Sequence, residues 1–121
     1  MKIEELDPTT PLMAQLQQKT GPITLINTVT VPREMREKFL ETWREDASFM
    51  KAQPGFISTQ LHQGTADSQV MVNVAVWESS EALFRAFSDP EFQKASSKYP
   101  EGIVAYPHVF EKVAVEGLCV A

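Results

Sequence analysis

The sequence predicts an α+β fold in which an antiparallel sheet carries two helices on one of its faces. Three observations predict it. Segments rich in β-branched residues alternate with amphipathic helical segments in the order β-α-β-β-α-β, one strand carries valines along one whole face, and 121 residues suit a single domain. Each element follows from local sequence signals.

Composition narrows the class of protein. Eleven basic and sixteen acidic residues leave a net charge of −5, which argues against a nucleic-acid-binding surface. The uncharged run Thr20–Pro32 is too short and too polar to span a bilayer, and the first five residues lack the apolar core of a signal peptide. Cys119 is the only cysteine, so no intrachain disulfide can form and a cytoplasmic location is expected.

The first half of the chain predicts an arm, a strand and a helix. Residues 1–22 are punctuated by prolines and are interpreted as an N-terminal arm that holds at most a short helix, with the domain proper over residues 23–121. Ile23–Val31 is rich in Ile, Val and Thr and predicts a strand. Pro32 then opens a helix whose apolar residues recur every three or four positions, namely Met35, Phe39, Trp43, Ala47 and Met50.

The second half predicts a hairpin, a broken helix and a last strand. Phe56–His62 and Gln69–Trp77 flank turn residues and predict the hairpin. Ser79 or Ser80 caps the next helix, which restarts at Asp89-Pro90 and continues to about Lys98. After a break at Pro100–Gly102, His108–Val115 predicts the final strand. The segment between Tyr99 and Tyr106 is either a loop over a pocket or a link toward a second copy, and we favour the link.

This order is that of the ferredoxin-like fold, whose sheet has helices on one face and leaves the other face bare. The bare face would carry four alternate valines together with Ile26 from the first strand: Val70, Val72, Val74 and Val76. A row of four valines is too apolar to be left in water. The sequence therefore predicts a homodimer in which a second copy covers this face.

The opposite face of the same strand is unusual because it mixes polar and apolar groups. Met71, Asn73, Ala75 and Trp77 alternate with the valines and point toward the helices. An amide and an indole N–H in such a face either have internal partners or bind a ligand. Asn27 on the first strand is predicted to point to the same cavity. For all three residues the alternative is a structural role in the core.

Four segments, in this order and spacing, resemble the antibiotic biosynthesis monooxygenase domain family: Ile23–Asn27, Gln53–Ser58, Asn73–Ser79 and Ser88–Phe92. The resemblance runs from about Ile23 to Val115. It implies a dimeric α+β barrel in which two ferredoxin-like subunits join their sheet faces. Some members of the family oxygenate anthrone-like or hydroquinone-like compounds without metal or flavin, and others degrade haem.

The two branches differ at positions that this sequence can be compared with. Haem-degrading members share the strand-one Asn, here Asn27, but Ala86 and Ser96 stand where they have a Trp and a His. Haem degradation is therefore not expected, since no iron ligand is evident. Oxygenating members resemble this chain at Asn73 and Trp77, whereas Leu83 and Ser97 stand where they have a Tyr and an Arg.

The resemblance implies a monooxygenase that needs no cofactor and acts on an electron-rich aromatic substrate, either hydroquinone-like or anthrone-like, with O2. Asn73, Trp77 and Asn27 are the candidate catalytic residues, because amide and indole N–H groups can stabilise an oxyanion. The predicted pocket walls are Met50, Phe84, Phe87 and Phe92. The alternative function is a non-catalytic module of the same fold that binds a small ligand or has only a structural role.

The two histidines, His62 and His108, are predicted on strands at opposite edges of the sheet, so they should not share a metal within one subunit. His108 is the better candidate for the pocket because Tyr106 and Phe110 alternate with it on one face. No metal is therefore expected.

Overall fold

A computed structural model describes all 121 residues and contains one five-stranded sheet with the main helices packed on one face. The strands are β1 (Lys2–Ile3), β2 (Ile23–Thr30), β3 (Phe56–Gln63), β4 (Val70–Trp77) and β5 (Val104–Phe110). The helices are α1 (Leu12–Leu16), α2 (Arg36–Lys51, preceded by a 3₁₀ turn at Arg33–Met35), α3 (Ser80–Ser88) and α4 (Pro90–Ser96). The predicted α+β, ferredoxin-like class is confirmed.

The sheet has the strand order β1-β5-β2-β4-β3, and every pair is antiparallel except the short parallel pair of β1 with β5. The two central strands, β2 and β4, pair over their full lengths, from Ile23 opposite Trp77 to Thr30 opposite Val70. Hairpin β3–β4 was predicted and is present. The parallel strand β1 was not predicted, because two residues are too few to show a periodic pattern.

The last strand lies earlier than predicted: β5 is Val104–Phe110, not His108–Val115. Pro107 made a strand improbable there, since proline cannot donate to a ladder. The N–H of Val109 points away from β2, toward Gln15 of α1 at 2.9 Å, so the nitrogen of Pro107, two residues earlier, also points away from β2. Beyond Phe110 the strand has no partner, because β2 begins at Ile23 and its pairing with β5 ends at Thr24.

Side chains alternate across β4 as predicted. Met71, Ala75 and Trp77 are buried beneath the helices, whereas Val70 is exposed and the other valines are only partly buried on the opposite face. Ile26 lies opposite Val74 and shares its side of the sheet. We call the surface formed by Ile26, Val70, Val72, Val74 and Val76 the valine face.

Residues 1–22, predicted as an arm, pack along the edge of the sheet. β1 extends the sheet beside β5, and α1 buries Leu12 and Leu16 while Met13 remains exposed. Gln15 accepts a hydrogen bond from the backbone of Val109, so α1 covers the part of the β5 edge that β1 does not reach.

The two helices on the second half of the chain begin as predicted. Ser79 caps α3 by accepting a hydrogen bond from the N–H of Ala82 at 3.1 Å, and Asp89 caps α4 by accepting one from Glu91 at 2.8 Å. Pro90 occupies the first turn of α4, where no donor is lost. No helix of the protein is both long enough and apolar enough to cross a membrane.

Replacing Ser79 with Ala should lower the free energy of unfolding by about 1 kcal/mol, because the N–H of Ala82 loses its acceptor. Urea unfolding followed by circular dichroism measures the difference. Ser79→Asp should retain most of the stability, since aspartate also caps helices. Equal stability of the Ala variant and the parent protein would show that water replaces the cap without cost.

Candidate active site

A cavity of about 150 Å³ lies between the sheet and the helices. Hydrophobic residues form 19 of its 26 lining positions, so the interior favours an apolar ligand. Its floor is formed by β2, β3, β4 and β5, and its roof by α2, α3 and α4. The polar groups that reach it are few, and each is therefore informative.

Six of the eight predicted site residues line this cavity. They are Asn27, Asn73 and Trp77 from the sheet, and Met50, Phe87 and Phe92 from the helices. The rings of Phe87 and Phe92 lie 5.3 Å apart and form one wall without filling the space. The predicted convergence of the two amides and the indole on one cavity is therefore present in the structure.

Asn27 and Asn73 lie directly opposite each other on the paired strands β2 and β4. Their side chains share the helix-facing side, and directly opposed positions bring Cβ atoms to about 5 Å. Asn73 Oδ1 accepts a hydrogen bond from Thr59 Oγ1 at 2.6 Å, which leaves its NH₂ group as the available donor. Asn27 Oδ1 is buried and has no hydrogen-bond partner. The pair thus offers one acceptor and one donor side by side.

An unpartnered buried amide oxygen costs about 1–3 kcal/mol. Such a group is uncommon in native structures and requires an explanation. Because Asn27 lines the cavity, a ligand that carries a hydroxyl group would supply the missing donor. The donor of Asn73 would bind the same hydroxyl oxygen.

Trp77 lines the cavity and also forms part of the core, with only 1% of its surface exposed. Its ring meets Phe56 edge-on, with centroids 5.5 Å apart and planes at 87°. The two roles that the sequence left open for this residue, core and site, are both compatible with its position.

Phe84 and His108, which were predicted as pocket residues, do not line this cavity. On β5, His108 lies opposite Ile26 of β2, on the side of the sheet away from α2, α3 and α4. Its ring nitrogen lies 2.7 Å from the side-chain amide of Gln15 on α1, and its ring centroid lies 5.0 Å from that of Phe110. The alternation of Tyr106, His108 and Phe110 was correctly recognised, but this face is the one opposite the site. On α3, Leu83 and Phe87 occupy the cavity side, and Phe84 packs against the neighbouring core.

Leu83 makes the wall apolar at the position where the oxygenating relatives were expected to have a Tyr. Ser97, at the position of the expected Arg, is exposed and donates to the carbonyl of Lys94 at 2.7 Å. Neither position therefore supplies a polar group to this cavity.

Five polar residues of the cavity were not predicted as site residues: Asp46, Thr59, Gln93, Ser96 and Tyr99. Tyr99 OH donates to Asp46 Oδ2 at 2.7 Å. Burial raises the pKa of the Asp46 carboxyl from the ordinary 3.8 to about 6, and the hydrogen bond from Tyr99 opposes this only in part. Burial, together with the nearby Asp46 carboxylate, also raises the pKa of Tyr99.

A sequence signal for Asp46 existed. Phe39, Trp43, Asp46 and Met50 follow one another at spacings of four, three and four, so a carboxylate interrupts the apolar stripe of α2. Thr59 had no comparable signal, since an alternating polar residue is ordinary on an edge strand. Tyr99 lies after α4, where no periodicity indicates its direction.

The N-terminal segment completes the enclosure. Four of its residues line the cavity: Met1 and Ile3 in or next to β1, and Leu12 and Leu16 on α1. The backbone bonds from Lys2 to Ile103, at 2.8 Å, and from Glu4 to Ala105, at 2.9 Å, hold this segment in place.

The family model described as antibiotic biosynthesis monooxygenase matches residues 22–98, well over half of the chain. This protein belongs to that family. The matched region contains all three candidate catalytic residues and ends before Tyr99. The N-terminal segment that helps to close the cavity lies before the matched region.

Among characterised proteins, the chain is similar to deoxynogalonate monooxygenase of Streptomyces nogalater, with 34% identity over 73 residues. The similar region spans 58% of this chain and 58% of that relative. Among solved structures, SnoaB, a cofactor-independent oxygenase from Streptomyces nogalater, has a TM-score of 0.70 at 22% identity, over 81% of this chain and 99% of that chain.

A second structure, provisionally described as a monooxygenase from Shewanella loihica, is 34% identical. Its TM-score is 0.63, over 81% of this chain and 99% of that chain. The SnoaB likeness shows the shared fold, and the two 34% relatives carry the sequence relationship.

The cavity combines an apolar enclosure, a paired hydrogen-bond acceptor and donor, and a carboxylate. No group of three or more His, Cys, Asp or Glu side chains is placed to hold a metal ion. Chemically, the arrangement is able to bind a hydroxylated apolar molecule, exclude water from it and stabilise negative charge on its oxygen.

Proposed function

We propose that this protein is a cofactor-independent monooxygenase that oxidises an electron-rich, hydroxylated aromatic substrate with O2. The observation that carries the proposal is the buried Asn27 Oδ1, which lacks a donor, beside the available NH₂ group of Asn73 in an apolar cavity. A phenolic hydroxyl satisfies both groups at once. The family membership and the monooxygenase names of the relatives support the same type of reaction.

In this reaction the substrate itself reduces O2. Loss of a proton gives an anion rich enough in electrons to react with oxygen. One oxygen atom enters the substrate, and the other leaves as water with two hydrogens. Asn73 and the indole N–H of Trp77 would stabilise the anion, and the phenylalanine walls would keep water out.

Cavity size is compatible with this substrate class. An apolar cavity of about 150 Å³ is large enough to hold one benzene ring. The reacting ring of a hydroquinone-like or an anthrone-like substrate therefore fits the cavity. Because Met1, Ile3, Leu12 and Leu16 form part of the wall, we assign residues 1–22 the role of a cap over a site carried by residues 23–121.

The valine face supports the further proposal of a homodimer. Ile26 and the central valines form a continuous apolar surface on the side of the sheet that bears no α2, α3 or α4 helix. A second copy placed there would remove this surface from water and would give the dimeric barrel implied by the family resemblance.

The alternative function is a non-catalytic module of the same fold that binds a small ligand. The positions of Leu83 and Ser97 favour it, because neither brings the polar group expected of an oxygenating member into the cavity. The two functions share a ligand site and differ only in whether bound substrate reacts with O2.

Oxygen uptake by the purified, metal-stripped protein tests the proposal. The substrates are hydroquinone, 1,4-naphthohydroquinone and anthrone, which differ in ring number, each corrected for autoxidation without protein. We expect uptake above autoxidation with these substrates. Asn73→Ala should lower kcat/KM by about 100-fold, because one oxyanion donor is lost.

Asn27→Ala and Trp77→Phe extend the test to the other two candidate residues, and both should also lower uptake. Gln63→Ala is the matched control, since it removes an exposed amide at the end of β3. Absence of uptake with all three substrates would support the non-catalytic alternative. Uptake that is unchanged in all the site variants would place the reaction elsewhere.

A further inference from the structure

Asp46 is the only acidic side chain that lines the cavity, and no basic side chain lines it. It lies on α2 between the wall residues Trp43 and Met50, and the other side chains of α2 that line the cavity are apolar. Its neighbour Glu45 points outward and pairs with Lys98 at 2.7 Å. One helix therefore carries a paired carboxylate on its exposed side and an unpaired one toward the cavity.

A carboxylate in an apolar enclosure without a cation destabilises the folded protein. The only hydrogen bond that the structure gives Asp46 comes from Tyr99 to Oδ2. This bond holds the carboxyl group in one orientation and leaves Oδ1 with its lone pairs available. An ionisable group kept at such a cost in a ligand cavity is typical of a functional residue.

The surroundings of Asp46 contain few other titratable groups. Tyr99, which follows α4, contacts it directly. The sheet opposite contributes Asn27, Thr59 and Asn73 to the cavity, and these side chains are polar but do not titrate. Met1, which precedes β1, also lines the cavity. Lys98 is engaged by Glu45 at the surface.

We infer that Asp46 is the proton acceptor of the oxygenation reaction and that Tyr99 is the positioning residue that orients its carboxylate. The inference rests on the proposed function and adds the base that the amides and the indole cannot provide. Asn27, Asn73 and Trp77 are able to stabilise an anion, but none of them can take up a proton at neutral pH.

The step balances with O2 as the only co-reactant. For an activated CH₂ group, Asp46 takes one proton as the C–H bond breaks, and the resulting anion forms a C–O bond with O2, which is reduced to a bound peroxide. The carboxyl returns its proton to the outer oxygen. It then takes the second C–H proton as the O–O bond breaks, which forms the C=O group and releases hydroxide. The hydroxide takes that proton from the carboxyl group and leaves as water. Asp46 ends as the carboxylate with which it began.

The acidity of Asp46 suits this task. With a pKa of about 6, the carboxyl is largely ionised above pH 7, yet it is more basic than an exposed aspartate. Since burial is the main cause of the raised pKa, the same apolar surroundings that shield the substrate anion also make Asp46 a stronger base.

Deuterium exchange into anthrone without oxygen tests the inference separately from oxygenation. The protein is incubated anaerobically with anthrone in D₂O, and incorporation at the CH₂ carbon is followed by mass spectrometry between pH 5 and 8. We expect the parent protein to accelerate exchange, with a midpoint near pH 6. Asp46→Asn should lower this rate by about 100-fold and remove the pH dependence.

Two further variants separate a chemical role from a structural one. Glu45→Gln removes the adjacent surface carboxylate and should exchange like the parent protein. Tyr99→Phe should move the midpoint to higher pH, because the hydrogen bond from Tyr99 lowers the pKa of Asp46. Circular dichroism of each variant confirms that it is folded.

Equal exchange rates in the parent protein and Asp46→Asn would overturn the assignment. The same holds if neither protein exchanges anthrone faster than buffer alone. Aerobic oxygen uptake on the same samples distinguishes the two proposals. Exchange that depends on Asp46, without oxygen uptake, would refute the oxygenase function but would still show that Asp46 accepts the substrate proton. Equal oxygen uptake by the parent protein and Asp46→Asn would support the oxygenase function and refute the role of Asp46 as its proton acceptor.

Discussion

Asp46→Asn should make the protein more stable at pH 8 by roughly 3 kcal/mol, the free energy that corresponds to a pKa of about 6 in place of 3.8. The folded state binds the Asp46 proton more tightly than the unfolded state. Stability therefore falls as the pH rises from about 4 to 6 and stays reduced above that range. Asparagine carries no charge at any pH, and its Oδ1 can still accept the hydrogen bond from Tyr99.

Urea unfolding of both proteins at a series of pH values between 4 and 8 measures this difference. The two curves should converge near pH 4 and separate through pH 6. Glu45→Gln, on the exposed side of the same helix, is the control and should not reproduce the separation. A constant difference between parent and Asp46→Asn across the whole range would mean that the Asp46 carboxyl has an ordinary pKa.

Trp77→Ala should lower the free energy of unfolding by about 3–5 kcal/mol, because it empties the largest side-chain volume in the core. Trp77 is 1% exposed, and its ring packs edge-on against Phe56. A domain of this size has a total stability of about 5–15 kcal/mol, so the Ala variant should unfold well below the parent melting temperature.

Trp77→Phe keeps an aromatic ring in the same place and should cost clearly less than Trp77→Ala, while it removes the indole N–H. It is therefore the appropriate variant for activity measurements, and Trp77→Ala is not. Denaturation of both variants by urea, with comparison of their m values, shows whether both remain cooperatively folded. A loss below about 1 kcal/mol for Trp77→Ala would show that the indole does not pack as the structure indicates.

Most of the fold was predictable because its signals are local. The apolar stripe of α2, the caps at Ser79 and Asp89, and the alternation along β4 each depend on neighbouring residues alone. The prediction was wrong at β5, where Pro107 is tolerated because its nitrogen points away from β2. Strand β1 has two residues and exists only because β5 is present to pair with it.

The candidate site was predictable where alternation decides direction. The pattern of one strand directed Asn73 and Trp77 toward the cavity that they line, and the alternation of Asn27 with Leu25 and Val29 directed Asn27 to the same side. His108 was assigned to the wrong face because alternation identifies which residues share a face, but not which face the helices cover. The contact of Tyr99 with Asp46 joins residues 53 positions apart, which no local pattern reports.

By itself, the sequence determined the class of fold, the order of its main elements and the family, since these follow from periodicity, capping residues and motifs. Only the tertiary structure decided which side chains share the cavity, that residues 1–22 help to close it, and that Asp46 faces it. The physical reason is that burial, hydrogen-bond partners and pKa are properties of an environment. That environment arises only when distant segments of the chain pack together.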